Sequence, residues 1–196
     1  MRVDPLAKLA AMPAGTVFFS ADLAAECMHT TEGIKPALQK GVAQGHLLRI
    51  ARGVYCKPRK STAGIVLPPD QDSVIEAFVG HYSLDAVPMG LSAAWRLGLV
   101  EERPNPYLLA VNHGQYKIRF NGWEVQFLPG RSMPFHFQTE LAALLLTALP
   151  AIGERNLTQQ HAATLKGLLV RCPDREAFRE DVHHLPVWIK QYLRRL

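Results

Sequence analysis

Cysteine is scarce in this chain of 196 residues: only Cys27, Cys56 and Cys172 occur, with no Cys-x-x-Cys pair. An odd number at wide spacing excludes a disulfide framework and a zinc ribbon. The expectation is structural thiols in a reducing compartment. Long apolar runs are also lacking. A membrane span takes roughly 18 apolar residues, and the best candidate, Leu141 to Leu149, is about half that length and contains Thr147. Near the N-terminus, Leu6 to Ala11 is interrupted by Lys8 and is too short for a signal peptide. The reading is a cytoplasmic protein with no membrane partner.

Catalytic motifs are missing as well. The eight histidines form no His-x-x-x-His or His-Glu-x-x-His spacing. His183 and His184 are adjacent, so a helix points their rings to different sides. There is no Gly-x-Ser-x-Gly elbow, no glycine-rich phosphate loop and no kinase signature. Asp70-x-Asp72 and Glu101-Glu102 read as a helix start and a loop. Glu124-Val125-Gln126 lacks the lysine of a nuclease core. These absences point away from an enzyme, a metal site and a cofactor.

What is present is basic charge in one place. Residues 1–60 hold 9 Lys/Arg against 4 Asp/Glu, a net of +5, whereas residues 61–196 hold 13 of each. The whole excess lies in the first third. Between Glu32 and Asp70 no acid occurs in 37 residues, where the chain average gives about three. Local basic excess is the electrostatic footprint of a phosphate-binding surface.

The same third carries a recognisable element order. Asp4-Pro5 reads as an N-cap and first helical residue. Leu6, Leu9 and Ala10 then recur at helical spacing, and Pro13-Ala14-Gly15 ends the helix. Thr16 to Phe19 suits a short strand. Ser20 reads as a second N-cap, with a helix over 21–27. After His29-Thr30-Thr31, the residues Ile34, Ala37, Leu38 and Val42 form one apolar stripe of a third helix. Pro36 sits early in that helix and Gly45 follows it. His46 to Ile50, Ala51-Arg52-Gly53 and Val54-Tyr55-Cys56 read as strand, turn and strand, with Gly53 supplying a positive φ. Helix, strand, helix, helix, hairpin is the order of a winged helix-turn-helix.

That order assigns candidate DNA contacts. The third helix would enter the major groove. Its polar face offers Thr31, Glu32, Lys35, Gln39 and Lys40, where Gln suits an adenine edge and Lys suits guanine acceptors or phosphate. The Thr30 and Thr31 hydroxyls and the free N–H groups at the helix start suit a phosphate. Arg52 at the hairpin tip would reach the minor groove or backbone, and Arg49, Lys57, Arg59 and Lys60 would add phosphate contacts. Double-stranded DNA is the implied partner.

Residues 61–69 read as a linker with Gly64 and Pro68-Pro69. Beyond it, 70–80 and 89–97 read as helices, and 107–111, 116–120 and 123–128 as strands. Asn121-Gly122 is a type I′ turn signal. Pro129 to Pro134 reads as a loop, and helices follow at 139–149, 158–171, 173–181 and 186–195. Trp95, Trp123 and Trp188 read as core anchors. Arg171, Arg175, Arg179, Arg194 and Arg195 line helices that could dock an acidic partner. The expected organisation is α+β: a winged helix-turn-helix at 1–60, a linker at 61–69, and a mixed α/β domain at 70–196 with a short sheet and C-terminal helices.

The segment Gly45-His46-Leu47-Leu48-Arg49-Ile50-Ala51-Arg52-Gly53-Val54-Tyr55 resembles the N-terminal winged helix of AbiEi-type antitoxins and related transcriptional regulators. Pro88-Met89-Gly90-Leu91-Ser92-Ala93-Ala94-Trp95-Arg96-Leu97-Gly98-Leu99 is similar to that family's helix after the linker. The likeness covers about residues 4–130. It implies a repressor of its own promoter, in a type IV toxin–antitoxin or phage-defence module, whose second domain counteracts a nucleotidyltransferase-like toxin. The alternative is an adaptor whose winged helix contacts a protein rather than DNA. No coiled coil or dimer helix marks an oligomeric state.

Overall fold

Asp4 begins the first helix. Its carboxylate accepts the Leu6 N–H at 3.1 Å, and Pro5 opens α1 (Pro5–Ala11). This is the expected start in a computed structural model that describes residues 3–130 and 135–196. Leu9 is the buried residue of α1, while Leu6 remains 43% exposed. β1 (Val17–Phe19) leads directly into α2 (Ser20–Glu26). Ser20, expected as the cap, is instead the first helical residue; Phe19 occupies the cap position without a side-chain bond. The Ser20 N–H is already used, donating to the Gly53 carbonyl at 2.8 Å.

α2 closes on a tight backbone motif. The Met28 N–H donates to Ala25 O and the His29 N–H to Ala24 O, with Met28 at φ 57. These bonds satisfy the last carbonyls of α2 and turn the chain into α3 (Thr31–Ala43). The buried stripe of α3 is Ile34, Leu38 and Gly41. Val42, expected inward, is 38% exposed. Gly41 takes its place because Leu47 packs onto it: a Cβ there would lie 2.7 Å from the Leu47 Cδ1.

β2 (Leu48–Ala51) and β3 (Val54–Cys56) pair antiparallel across the Arg52-Gly53 turn, and β1 pairs antiparallel with the other edge of β3. The sheet order is β1-β3-β2. Phe18, Leu23, Cys27, Ile34, Leu38 and Leu47 fill the core between this sheet and the helices. Residues expected to form only a linker carry a second small hairpin, β4 (Arg59–Lys60) with β5 (Val66–Leu67). Next comes α4 (Gln71–Tyr82), capped by the Asp70 carboxylate on the Ser73 N–H at 2.7 Å.

The chain divides into two compact units. One runs to Leu84 and includes Arg119–Gly122; the other comprises Asp85–Ile118 and Trp123–Leu196. The division therefore falls after α4, not at 61–69. The physical reason is Phe19. Its ring stacks on His81 at 3.7 Å and meets Phe78 edge-on at 5.0 Å, while His81 Nδ1 lies 2.8 Å from Asp22 Oδ1. α4 thus packs on β1 and α2.

β6 (Ala86–Pro88), β7 (Tyr107–Val111), β8 (Tyr116–Phe120) and β9 (Trp123–Pro129) form a sheet of order β6-β7-β9-β8, which apart from Arg119 and Phe120 belongs to the second unit. β6 pairs antiparallel and β9 parallel with β7. Asn121 and Gly122 join β8 to β9 with φ 48 and 82, the paired positive values of a type I′ turn. The loop expected at 129–134 falls partly outside the described residues. α5 (Leu91–Arg96) packs closely on α6 (Glu140–Ile152), where Ala93, Ala94, Ala142 and Ala148 are fully buried. α7 (Gln159–Val170), α8 (Arg175–His184) and α9 (Val187–Arg194) complete the core with Leu165, Phe178 and Ile189. Asp181, 2% exposed, anchors the start of α6. It accepts from the Gln138 N–H at 3.0 Å, the Thr139 N–H at 2.8 Å and the Thr139 hydroxyl at 2.6 Å.

The architecture is mixed α+β. Among the described residues no helix is long and apolar enough to cross a membrane.

Candidate nucleic-acid interface

The candidate residues all lie in the first unit, on α3, the β2–β3 hairpin and the segment leaving it. Thr30 caps α3. Its Oγ1 accepts the Gly33 N–H at 3.1 Å, which fixes the hydroxyl at the helix start. Thr31, Lys35, Gln39 and Lys40 are exposed on α3. Lys35 Nζ lies 3.3 Å from Glu32 Oε2 one turn back. An exposed pair of this kind is weak and yields readily to a stronger anion. Pro36 is exposed between these polar residues and carries no N–H, so the helix gives up one internal bond on its solvent side.

Arg49 is exposed on β2 opposite Tyr55, and Arg52 is exposed in the two-residue turn with Gly53 at φ 78. The turn needs a residue without a Cβ at that angle, which leaves the side chain of Arg52 as the tip of the hairpin. Among the described residues no ion pair engages Lys40, Arg49, Arg52 or Lys60.

Lys57 departs from the expectation. Its ammonium donates to the carbonyls of Leu9 at 3.1 Å, Ala10 at 2.6 Å and Met12 at 2.6 Å. All three ammonium hydrogens are thereby matched with the orphan carbonyls at the end of α1. Lys57 is a structural clamp between α1 and the end of β3, not an available phosphate ligand. Arg59 is partly engaged too, with Nη1 at 3.7 Å from Asp70 Oδ2. Asp70 is held below the usual carboxylate range, first by the Ser73 backbone N–H it accepts and last by Arg59.

Other groups singled out in the sequence take the following places. Burial pushes the Cys56 thiol up to about 11 and raises Cys27 as well. All three cysteines are buried and unpaired. Among the described residues no group of three His, Cys, Asp or Glu could hold a metal ion. Glu124 does meet a lysine, but from the neighbouring strand: Lys117 Nζ lies 2.7 Å from its Oε1, and Gln126 Nε2 donates to the same oxygen. Of the C-terminal arginines, Arg171 Nε donates to Gly167 O at 3.0 Å and Arg175 Nη2 to Val170 O at 2.8 Å. Both close the end of α7. Arg179, Arg194 and Arg195 are exposed.

A model of a protein family of unknown function, DUF6088, matches residues 6–176. The chain belongs to the DUF6088 family. No curated protein matches it. The DUF6088 match begins in α1 and ends in α8, so the family's defining sequence includes most of both compact units. The exposed polar face of α3 and the β2–β3 hairpin both fall within it. In this DUF6088 chain, one polar residue near the candidate set carried no signal but its position: His46, one residue after Gly45 and exposed just beyond α3.

Proposed function

We propose that the first unit is a winged helix-turn-helix that binds double-stranded DNA, with α3 as the recognition helix and the β2–β3 hairpin as the wing. The observation that carries this reading is the exposed Lys35, Gln39 and Lys40 of α3, which lie within a stretch of 37 residues without an acid that begins just after Glu32. Lys35, Gln39 and Lys40 would meet the major groove, where Gln and Lys can read base edges. Arg49, Arg52, Arg59 and Lys60 would add phosphate contacts that position the module. Thr30 keeps the start of α3 in place, and the free N–H groups there favour a phosphate.

The likeness to AbiEi-type antitoxins supports a fuller role. The protein would repress its own promoter and counteract a nucleotidyltransferase-like toxin through the second unit. That unit is not assigned catalysis.

The test of DNA binding is the triple variant Lys35→Ala, Gln39→Ala, Arg52→Ala. All three side chains are exposed, so the melting temperature should hold. Affinity for a duplex from upstream of the gene should fall by at least about a hundredfold, as expected for losing one base-reading pair and two charges. Unchanged affinity would place the DNA face elsewhere. The antitoxin role is tested by co-expressing the full chain with a neighbouring nucleotidyltransferase-like toxin. Restored growth supports the role, and continued toxicity rejects it.

A further inference from the structure

A groove of about 490 Å³ opens in the first unit between α1, the end of α3 and the segment leaving β3. Its volume lies in the range of small-molecule sites, roughly 300–1,000 Å³. The walls are mostly apolar, with Leu6, Leu9, Leu47 and Pro58 among them. Leu6 is 43% exposed, an apolar side chain left open to solvent at the rim. Gly41 and Gly45 contribute no side chain, and nothing lies within 4 Å of where a Cβ on Gly45 would be. The polar lining is one-sided. His46, Lys57 and Lys60 are present with Gln44, and no carboxylate lines the groove.

We propose that this groove binds a small amphipathic carboxylate, an apolar chain ending in a single negative charge. The chain would lie on Leu6, Leu9 and Leu47. Lys57 is already committed to three carbonyls, so the carboxylate is met by the Lys60 ammonium and the His46 imidazole. One available ammonium and one ring N–H suit a monoanion better than a phosphate dianion. A ligand here touches the residues that end α3 and those that leave the β2–β3 hairpin. It is therefore placed to alter DNA affinity. That consequence rests on the DNA-binding reading; the binding itself does not.

The experiment is a titration of the full chain with octanoate, followed by methyl NMR and calorimetry. Butanoate, hexanoate and the uncharged 1-octanol serve as comparisons. One saturable site is expected, with shifts at the Leu6, Leu9 and Leu47 methyls. Each two-carbon extension should tighten binding several-fold, since each buried methylene is worth up to about fourfold. Lys60→Ala and 1-octanol should each weaken binding about fivefold. Ala14→Trp, at a lining position exposed to solvent, should block the site. The methyl shifts locate the site in the unaltered protein whether or not that variant folds. Non-saturable binding, shifts at other methyls, or equal affinity for octanoate and 1-octanol would overturn the proposal. The titration contains no DNA, so it stands or fails apart from the DNA-binding reading. A separate arm measures the duplex affinity with and without saturating octanoate. A change of threefold or more supports the regulatory consequence, and no change rejects it.

Discussion

The two compact units arrange charge differently: the first gathers cations in one acid-free stretch, and the second interleaves acids and bases. In the second unit some ionic side chains hold elements together, while Arg179, Arg194 and Arg195 are exposed. Asp181 receives three hydrogen bonds at the start of α6, and Glu124 receives Lys117 across the sheet. Arg103 lies over the rings of both Trp95 and Tyr107, at 4.5 and 4.6 Å. In the first unit, Lys57 does the same, but Lys40, Arg49, Arg52 and Lys60 face solvent without an ion pair among the described residues. Net charge does not separate the units: the first holds 10 Lys/Arg and 7 Asp/Glu, and the second 12 and 10. What separates them is the local run of 37 residues without an acid after Glu32, which lies wholly in the first unit. Binding is therefore sought in that acid-free stretch, and stability in the side chains that tie elements together.

Substitution can break the comparison on the stability side first. Asp181→Ala should cost about 2 kcal/mol, because it leaves two part-buried N–H groups and a hydroxyl without their acceptor. Urea unfolding measures it, and DNA affinity of the folded fraction should not move. A cost under 1 kcal/mol would show that water replaces the carboxylate easily. Lys57→Met is the corresponding change in the first unit. It should cost about 2 kcal/mol by uncapping α1. It should also leave the salt dependence of DNA binding unaltered. A shallower salt dependence would return Lys57 to the phosphate contacts.

Asp70→Ala is expected to cost about 1 kcal/mol at pH 7 as a lost helix cap. Its folded-state pKa is lowered, so its contribution is present above the unfolded value, ordinarily about 3.9. That contribution is lost as pH falls through the lower folded value. Stability of the native chain should therefore drop on acidification below about pH 4, and the Asp70→Ala chain should drop less. Identical acid profiles would remove Asp70 from the account. The carboxylate is largely open to solvent, so screening keeps the effect small.

Much of the fold could be read from local chemistry. Asp4, Thr30, Asp70, Thr139 and Thr158 each cap a helix, and the Asn121-Gly122 turn has the φ values its residues favour. The errors came where a distant partner decides. Val42 has the spacing of a stripe residue, but Leu47 takes the space over Gly41. β6 is a three-residue strand ending in Pro88, too short for a periodic signal and defined only by its pairing with β7. β4 and β5 lie in a Pro- and Gly-bearing stretch whose composition suggested a linker. α6 runs through Pro150, tolerated in its last turn, to Ile152 rather than ending at Leu149. α4 belongs to the first unit because of Phe19, more than fifty residues earlier. For the candidate site, residue type and exposure on α3 were legible. The loss of Lys57 was not, since its partners are 45 to 48 residues away.

The most direct measurement is fluorescence anisotropy of the full chain on a duplex from upstream of its own gene, with a scrambled duplex as control, at about 50 and 200 mM salt. A clear preference for the upstream duplex is expected. Affinity should fall about a hundredfold or more between the two salts, as several phosphate contacts require. Lys40→Ala should lower the log–log salt slope by about one. Binding neither duplex, or both equally at either salt, would contradict the account and make the basic face of the first unit a surface for a protein partner.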